Sequence, residues 1–397
     1  MTKIELLAPA KDIQKAKIAL LYGADAVYFG GKQFSLRARA SNFDIDDIFK
    51  ITNFAHSLGK KVFVTVNIVF HQEDLEGLQE YLLTLDEIGI DAIIVESVNV
   101  LTLAKKLGCH FEVHLSTQIN TTNSMAISEY QKLGVDRVVL SREVSMDSIR
   151  KVARNTSVPL EVFIHGGMCS NYSGRCILSN RMTLRDANRG GCAQSCRWKY
   201  EVYKGNQLIS DPDTLFSMSS KDLRASAYIK DLIDANIRSL KIEGRMKSDY
   251  YIAQVVKTYR QLIDEIYEKG TISQKRLEYY DSELDKAENR LSDDGFLSGT
   301  CDEDKHLYGV NGAGVTHDYV AYVLAYYEGY AKIEVRNYFK KGDELEVFGP
   351  DLDNTRFTVE EVFDTEMNNR EIINKPMETL YIKVPFACKR HYMIRKA

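Results

Sequence analysis

What this chain lacks narrows it first. No stretch reaches the ~18 uninterrupted apolar residues of a membrane span, so a membrane-spanning protein is not expected. The opening Met1-Thr2-Lys3-Ile4-Glu5 has no basic segment followed by an apolar run. That argues against a secretory signal and for a cytoplasmic protein whose thiols stay reduced. Charge of one sign is not in large excess: 52 Lys and Arg stand against 56 Asp and Glu, a net charge of -4. Nothing global therefore steers the protein toward nucleic acid. There is no His-Glu-x-x-His for a zinc peptidase and no paired Cys-x2-Cys knuckle for structural zinc.

Cysteine is scarce, seven in 397 residues, yet four of the seven fall in one short window. Cys169, Cys176, Cys192 and Cys196 follow the spacing C-x6-C-x15-C-x3-C, while Cys109, Cys301 and Cys388 are scattered. In a reducing compartment such a cluster points to metal ligation before disulfides. Four thiolates converging from loops suit a [4Fe–4S] cluster; zinc is the alternative, and unligated thiols the bland one. The glycines at 166, 167, 174, 190 and 191 would let backbone pass close to a bulky group, or are ordinary loop glycines.

The first ~270 residues alternate strand-like apolar runs with amphipathic helical stretches. The strands read as Ile4–Ala8, Ala26–Phe29, Val62–Val69, Ala92–Glu96, Phe111–Asn120, Arg137–Ser141, Leu160–Ile164 and Arg238–Glu243. Helical stretches such as Ile13–Tyr22, Ile45–Leu58 and Leu75–Ile88 separate them, several ending at a glycine cap (Gly23, Gly59, Gly108, Gly134). Eight such units imply an α/β fold, a (β/α)8 TIM-like barrel, with an open doubly wound sheet as the alternative. In His114-Leu-Ser-Thr-Gln118-Ile-Asn120 polar residues alternate with mostly apolar ones, and Lys241, Glu243 and Arg245 share one face of the last strand. A strand under a helical layer turns its apolar face outward, so these polar faces point into the barrel. Charges there are costly unless they line a wet site.

The organisation expected is a barrel over 1–270 with a cysteine-bearing insertion at 170–236, between strands seven and eight. A helix and linker follow at 271–310, then a small C-terminal β-barrel domain at 311–397, where alternating runs and turn signals take over. Long βα loops of a barrel sit at its C-terminal face, so the cysteines should lie over the mouth.

Particular motifs carry a resemblance. They are Leu6-Leu-Ala-Pro-Ala10, Ala24-Asp-Ala-Val-Tyr28-Phe-Gly-Gly31, Leu36-Arg-Ala-Arg-Ala40, His165-Gly-Gly-Met-Cys169 with Cys176-x-x-Ser179, and Lys241-Ile-Glu-Gly-Arg-Met-Lys247. Through them the chain resembles the U32 peptidase family over essentially its whole length. The family name implies proteolysis of a collagenase-like kind. The resemblance is strongest to the branch that hydroxylates the tRNA wobble uridine at C5. That branch implies an oxygen-independent hydroxylase with a four-cysteine iron–sulfur cluster, tRNA as partner, and prephenate, a small dicarboxylate, as hydroxyl donor.

Candidate site residues follow from predicted strand ends and from local charge. Asn67, Gln118, His165, Glu243 and Arg245 are the candidate catalytic set, with His165 first for proton transfer because it titrates near neutrality. Tyr28, Glu96 and Asn120 are candidates to touch substrate, and Glu143 shares their strand-end position. Arg37 and Arg39 could clamp the carboxylates of a small dianion. Between Asn171 and Tyr200 six Lys/Arg face one acid, Asp186, with Tyr172, Trp198 and Tyr200 interleaved. Arg175, Arg181, Arg189 and Trp198 are therefore candidates to grip phosphate and stack a splayed base, a solvated loop face being the plain alternative. Two rival classes stay open. One is a peptidase using Cys169 with His165, which metal ligation of Cys169 would preclude. The other is a non-catalytic RNA-binding protein with a structural metal.

Overall fold

The computed structural model describes residues 3–36, 42–213, 215–287, 290–307 and 318–397. Eight parallel strands form its first unit: β1 (Glu5–Pro9), β2 (Ala26–Gly30), β3 (Lys61–Val66), β4 (Ala92–Val95), β5 (Glu112–Leu115), β6 (Arg137–Val139), β7 (Leu160–Gly167) and β8 (Ser239–Ile242). They pair in that order, and β8 bonds both β7 and β1 (Ser239 opposite Glu161 and Glu5), so the ring closes. This is the (β/α)8 barrel expected.

Helices α1 (Ile13–Leu21), α2 (Ile45–Ser57), α3 (Leu78–Ile88), α4 (Val98–Leu107), α5 (Ser124–Lys132) and α6 (Met146–Arg154) follow the first six strands. Their starts are chemical. Asp12, Asp44, Ser97, Asn123 and Ser145 each accept a backbone N–H of the first turn, which satisfies a donor with no intrahelical partner. Gly108 ends α4 in the left-handed region at φ 72°. The outward strand residues, among them Leu6, Val27, Val64, Ile93 and Val113, are fully buried beneath these helices. Leu7, Tyr28, Phe63 and Ile94 point inward and fill the barrel. No helix of the described residues is long and apolar enough to cross a membrane.

Two strands are shorter than the alternation implied. The run read as Phe111–Asn120 leaves the sheet after Leu115: Ser116 Oγ accepts from the Gln118 N–H, a 3-10 turn spans Thr117–Ile119, and Asn120 sits at φ 61°. Serine and asparagine offer the backbone local bonds that compete with a ladder, and here they win. The run to Val69 likewise stops at Val66.

Between β7 and β8 lies the insertion, with α7 (Leu178–Thr183), a short antiparallel strand Asp222–Arg224 laid on the end of β7, and α8 (Ile229–Asp234). Helices α9 (Asp249–Lys269) and α10 (Gln274–Asp285) follow the barrel. The polar stretch expected as a linker is docked instead. Ser292 and Asp293 pair with Asp222 and Leu223, and Leu297 is buried, its carbonyl accepting from Met146 N.

The terminal unit is a seven-stranded antiparallel sheet of β9 (Tyr319–Tyr327), β10 (Tyr330–Val335), β11 (Glu344–Gly349), β12 (Leu352–Thr358), β13 (Val362–Phe363), β14 (Thr379–Lys383) and β15 (Met393–Lys396). Its spatial order is β12-β11-β15-β9-β10-β14-β13. It has its own apolar core, centred on Val323, Ile333, Val347 and Ile382. It also bonds the barrel: Lys257 of α9 donates to the Gly349 carbonyl (2.8 Å), Tyr22 OH to that of His391 (2.8 Å), and Tyr250 stacks on Tyr319 (5.0 Å).

Candidate active site at the barrel mouth

Beneath the C-terminal face the barrel interior is buried and charged. Glu5, Arg137, Glu161 and Lys241 are each at most 7% exposed. Arg137 Nη1 donates to Glu5 Oε1 (2.6 Å) and Glu161 Oε2 (3.1 Å), and Lys241 Nζ donates to Glu161 Oε1 (2.8 Å). Burial works to raise the Glu161 carboxyl, yet Lys241 and Arg137 beside it hold it down at about 2. An isolated charge here would cost several kcal/mol. Lys241 therefore belongs to a paired, buried floor rather than the wet site its inward position suggested; its partner comes from β7, far away in sequence.

Above this floor hydrogen bonds link the residues of the strand ends. Tyr28 OH donates to Glu243 Oε2 (3.1 Å), with the Lys241 ammonium over its ring at 4.5 Å. Arg245 donates to the Leu36 carbonyl (3.0 Å), the Leu36 N–H reaches Asn67 Oδ1 (3.3 Å), and Asn67 Nδ2 reaches Gln118 Oε1 (2.8 Å). The Gln118 carbonyl accepts from Arg175 Nε (2.7 Å), and Arg175 pairs with Glu96. Seven of the expected residues, Tyr28, Asn67, Glu96, Gln118, Arg175, Glu243 and Arg245, thus meet at one mouth. Burial pushes the Glu96 carboxyl above its ordinary range against the opposing charge and hydrogen bond of Arg175. A carboxyl raised by burial beside a cation is a candidate for proton handling.

Other candidates stand elsewhere. His165 is 4% exposed; its Nδ1 meets Tyr259 OH at 3.2 Å and its ring packs against Tyr251 and Tyr259 of α9. Burial, with Arg224 and Lys247 adding, lowers its pKa to about 3. The pairing of β7 with β8 slips beside it, between Lys241 and Ile242, and such a bulge re-aims a side chain. His165 thus faces the helix layer as a neutral ring, where packing does not suit it to the proton transfer first assigned to it. Asn120 lies at the rim with its Oδ1 buried and unpartnered. Arg189 is held by Asp74 (2.6 Å) and Glu73 (3.3 Å), so with Arg175 it is committed to internal pairs. Arg181 and Trp198 are exposed, as are Tyr172, Ile177 and Phe216. The insertion therefore offers more stacking surface and fewer uncommitted cations than its composition implied. Arg37 and Arg39 lie outside the described residues.

The cysteine loop is tied down over the mouth. Gly166, at φ 104°, runs so close to β8 that a Cβ there would stand 2.4 Å from the Glu243 carbonyl oxygen, which only glycine permits. Ser173, between Cys169 and Cys176, is buried in the left-handed region at φ 45°. Its N–H donates to Glu143 Oε1 (2.6 Å) and its hydroxyl to Glu143 Oε2 (2.5 Å), while Arg142 N (3.2 Å) and Thr117 Oγ1 (3.3 Å) donate to it. Periodicity gives no hint of Ser173 or Arg142, because both lie in loops. We expect Ser173→Ala to cost about 1–3 kcal/mol, as loss of a buried hydroxyl partner does. It should also speed alkylation of Cys169 and Cys176 in metal-free protein, followed by mass spectrometry. Unchanged stability and unchanged thiol reactivity would remove Ser173 as the latch.

The thiols fit a metal group in kind. The Asn171 N–H points at Cys169 Sγ (3.4 Å); Asn171 Nδ2 (3.1 Å) and the Leu178 N–H (3.3 Å) point at Cys176 Sγ. N–H donors of this sort are what ligated sulfurs use. Burial pushes the Cys169 thiol up, against the Asn171 N–H and the charge of nearby Arg142, with Cys196 and Cys176 adding slightly to the rise. Cys192 is exposed, and among the described residues no three His, Cys, Asp or Glu side chains are gathered closely enough to enclose an ion. An apolar cleft of about 510 Å³ opens beside the loop between Ile177, Leu178, Phe216 and Met218.

Comparison with known sequences agrees with this architecture. The model of "Peptidase family U32" matches residues 11–307, and that of "Peptidase family U32 C-terminal domain" matches residues 315–395. The chain is 41% identical over 404 residues to "tRNA hydroxylation protein P1" of Bacillus subtilis, covering 99% of this chain and 95% of that protein. It is 40% identical over 269 residues to the Escherichia coli "23S rRNA 5-hydroxycytidine C2501 synthase", covering 67% of this chain but 40% of that protein. It is 35% identical over 363 residues to a Porphyromonas gingivalis protein named "Collagenase", covering 87% and 86%.

Proposed function

This chain belongs to peptidase family U32, and from that premise we propose that it is a tRNA-modifying enzyme that hydroxylates C5 of the wobble uridine. The oxygen would come from a small dicarboxylic acid such as prephenate. The observation that carries the reading is the site itself: a polar mouth, floored by paired charges, with a cysteine loop tied down over it that stacking residues flank. The names of two relatives support it, since each describes hydroxylation of an RNA.

In this reading Cys169, Cys176, Cys192 and Cys196 hold a [4Fe–4S] cluster, with zinc as the alternative. Such a cluster, when bound, supplies electron transfer or Lewis-acid polarisation. The protein's own residues do the rest. Tyr172, Trp198 and Phe216 stack the nucleotides around the target, and the uridine turns out of its stack toward the mouth. Asn67 and Gln118, already bonded to one another, orient polar edges there. Glu96 holds or accepts a proton at its carboxylate oxygen. The protein works in the cytoplasm, where its tRNA substrate and reduced thiols coexist.

The peptidase reading draws on the family name and the collagenase relative. It needs an activated thiol and a base beside it. Here burial raises the Cys169 thiol, and His165 is given to Tyr259.

Nucleoside analysis tests the proposal. In a strain lacking this gene, 5-hydroxyuridine-derived nucleosides should disappear from tRNA. They should return with the wild-type chain and stay absent with Cys169→Ala/Cys176→Ala, whose iron and sulfide content should also fall. Unchanged tRNA nucleosides in the deletion strain would sink the reading.

A further inference from the structure

Besides Arg175 and Arg245, the structure places at the mouth a third arginine that the sequence did not single out. Arg142 follows β6, and its side chain is 14% exposed. Its guanidinium lies 3.9 Å from the centroid of the Phe163 ring, whose face fixes the plane of the fork. Nη1 is committed, donating to the Gly167 carbonyl at 2.6 Å. The opposite edge of the guanidinium, Nε with Nη2, is not. Nε is buried with no hydrogen-bond partner, and Nη2 comes no nearer than 4.0 Å to Glu243 Oε2. An unpaired buried donor costs about 1–3 kcal/mol, and more on a charged group. A planar fork with neither donor of one edge in a hydrogen bond is the arrangement that a carboxylate fills with two parallel N–H···O bonds.

We propose that Arg142 is a substrate-binding residue of this mouth, and that its Nε–Nη2 edge takes a carboxylate of the small organic acid. The assignment rests on the reading above, in which such an acid is co-substrate. It adds to that reading the residue that recognises the acid and the form of recognition, a side-on bidentate pair. The position is apt. The same guanidinium grips the peptide two residues before Cys169, so an acid held on its free edge lies between the cysteine loop and the strand ends. The rival is internal: Glu243 could close the gap and occupy the edge itself.

Calorimetric titration of the full-length protein, purified without oxygen, with prephenate separates the two. We expect saturable binding to the wild type, weakened about 30-fold in Arg142→Gln, in line with loss of a charge-assisted pair. Arg142→Lys, which keeps the charge but not the fork, should be weakened about tenfold. Where Arg142→Gln does not fold, as judged by circular dichroism, Arg142→Lys decides. Equal affinity in wild type and folded variants overturns the assignment, and so does a wild type that binds no prephenate. The parent reading is scored separately by tRNA nucleosides. Arg142-dependent binding in a protein that modifies no tRNA keeps the carboxylate site and sinks the parent reading. An active enzyme whose affinity ignores Arg142 sinks the site alone.

Discussion

Replacing Arg395 by methionine should destabilise the protein by about 3–5 kcal/mol, the largest effect we expect of any substitution outside the mouth. Arg395 sits on β15 with no exposed surface, yet it is the electrostatic hub between the terminal sheet and the barrel. Its Nε donates to Glu346 Oε1 (2.8 Å), its Nη1 to Gln254 Oε1 (2.8 Å) and Tyr250 OH (3.3 Å), and its Nη2 to Glu283 Oε2 (3.3 Å). The guanidinium also lies over the Phe348 ring at 4.7 Å. Glu346 belongs to the sheet, Gln254 and Tyr250 to α9, and Glu283 to α10. Burial works to raise the Glu283 carboxyl, but Lys286, Arg395 and Asn354 together hold it at about 2. A methionine fills much of the volume and leaves two buried carboxylates facing a missing charge. The loss should appear in urea unfolding as an earlier midpoint, with the terminal sheet leaving ahead of the barrel. Adding Glu346→Leu to Arg395→Met should recover part of it, since one uncompensated charge is then gone. A single-variant loss under 1 kcal/mol would mean that water or Lys286 replaces Arg395, and that the two units are held by apolar contact alone.

The same long-range pairing explains what sequence could and could not tell. The barrel was legible because apolar strand runs alternate with amphipathic helical runs that close on glycine caps. Those signals are local. That Cys169 to Cys196 share one loop was legible by density, and that Asn67, Gln118, Glu96 and Glu243 meet at the mouth by their place at strand ends. His165 was misread because strict alternation would have aimed it at the mouth, and the slip in pairing between β7 and β8 turned it toward Tyr251 and Tyr259. Arg175 and Arg189 looked like a free basic surface because Glu96, Asp74 and Glu73, which take them up, lie roughly 80 to 115 residues earlier in the chain. Arg142 is the opposite case. It stands alone in a βα loop with no pattern around it, and only the fold shows that one edge of its guanidinium is occupied and the other is not.

Acidification should weaken the fold well above the range where ordinary carboxylates titrate, and His165 should be a main cause. A free histidine titrates near 6.5, whereas burial lowers this one to about 3. Between those values the unfolded chain binds a proton that the folded chain refuses, so stability falls as pH falls. Each unit is worth about 1.4 kcal/mol per such group, so from pH 6.5 to 4.5 His165 alone should remove on the order of 2–3 kcal/mol. His391, lowered to about 4 chiefly by its own burial, works in the same direction. The carboxylates act later. Glu161 and Glu283, each held at about 2, contribute stability that is whole above their unfolded values and is lost as pH drops from about 4.5 toward 2. Two overlapping phases should follow, a histidine phase that starts near pH 6.5 and runs on toward 3, and a carboxylate phase that joins it below about 4.5. Urea midpoints of wild type and His165→Gln, compared at each pH so that effects common to both cancel, isolate the first phase. Glutamine can keep a hydrogen bond to Tyr259 without a titrating ring, so its curve should lie flatter by about 2 kcal/mol between pH 6.5 and 4.5. Parallel curves would show that His165 charges within the fold as it does outside. That would return the ring to solvent reach and revive it as the proton carrier of the mouth.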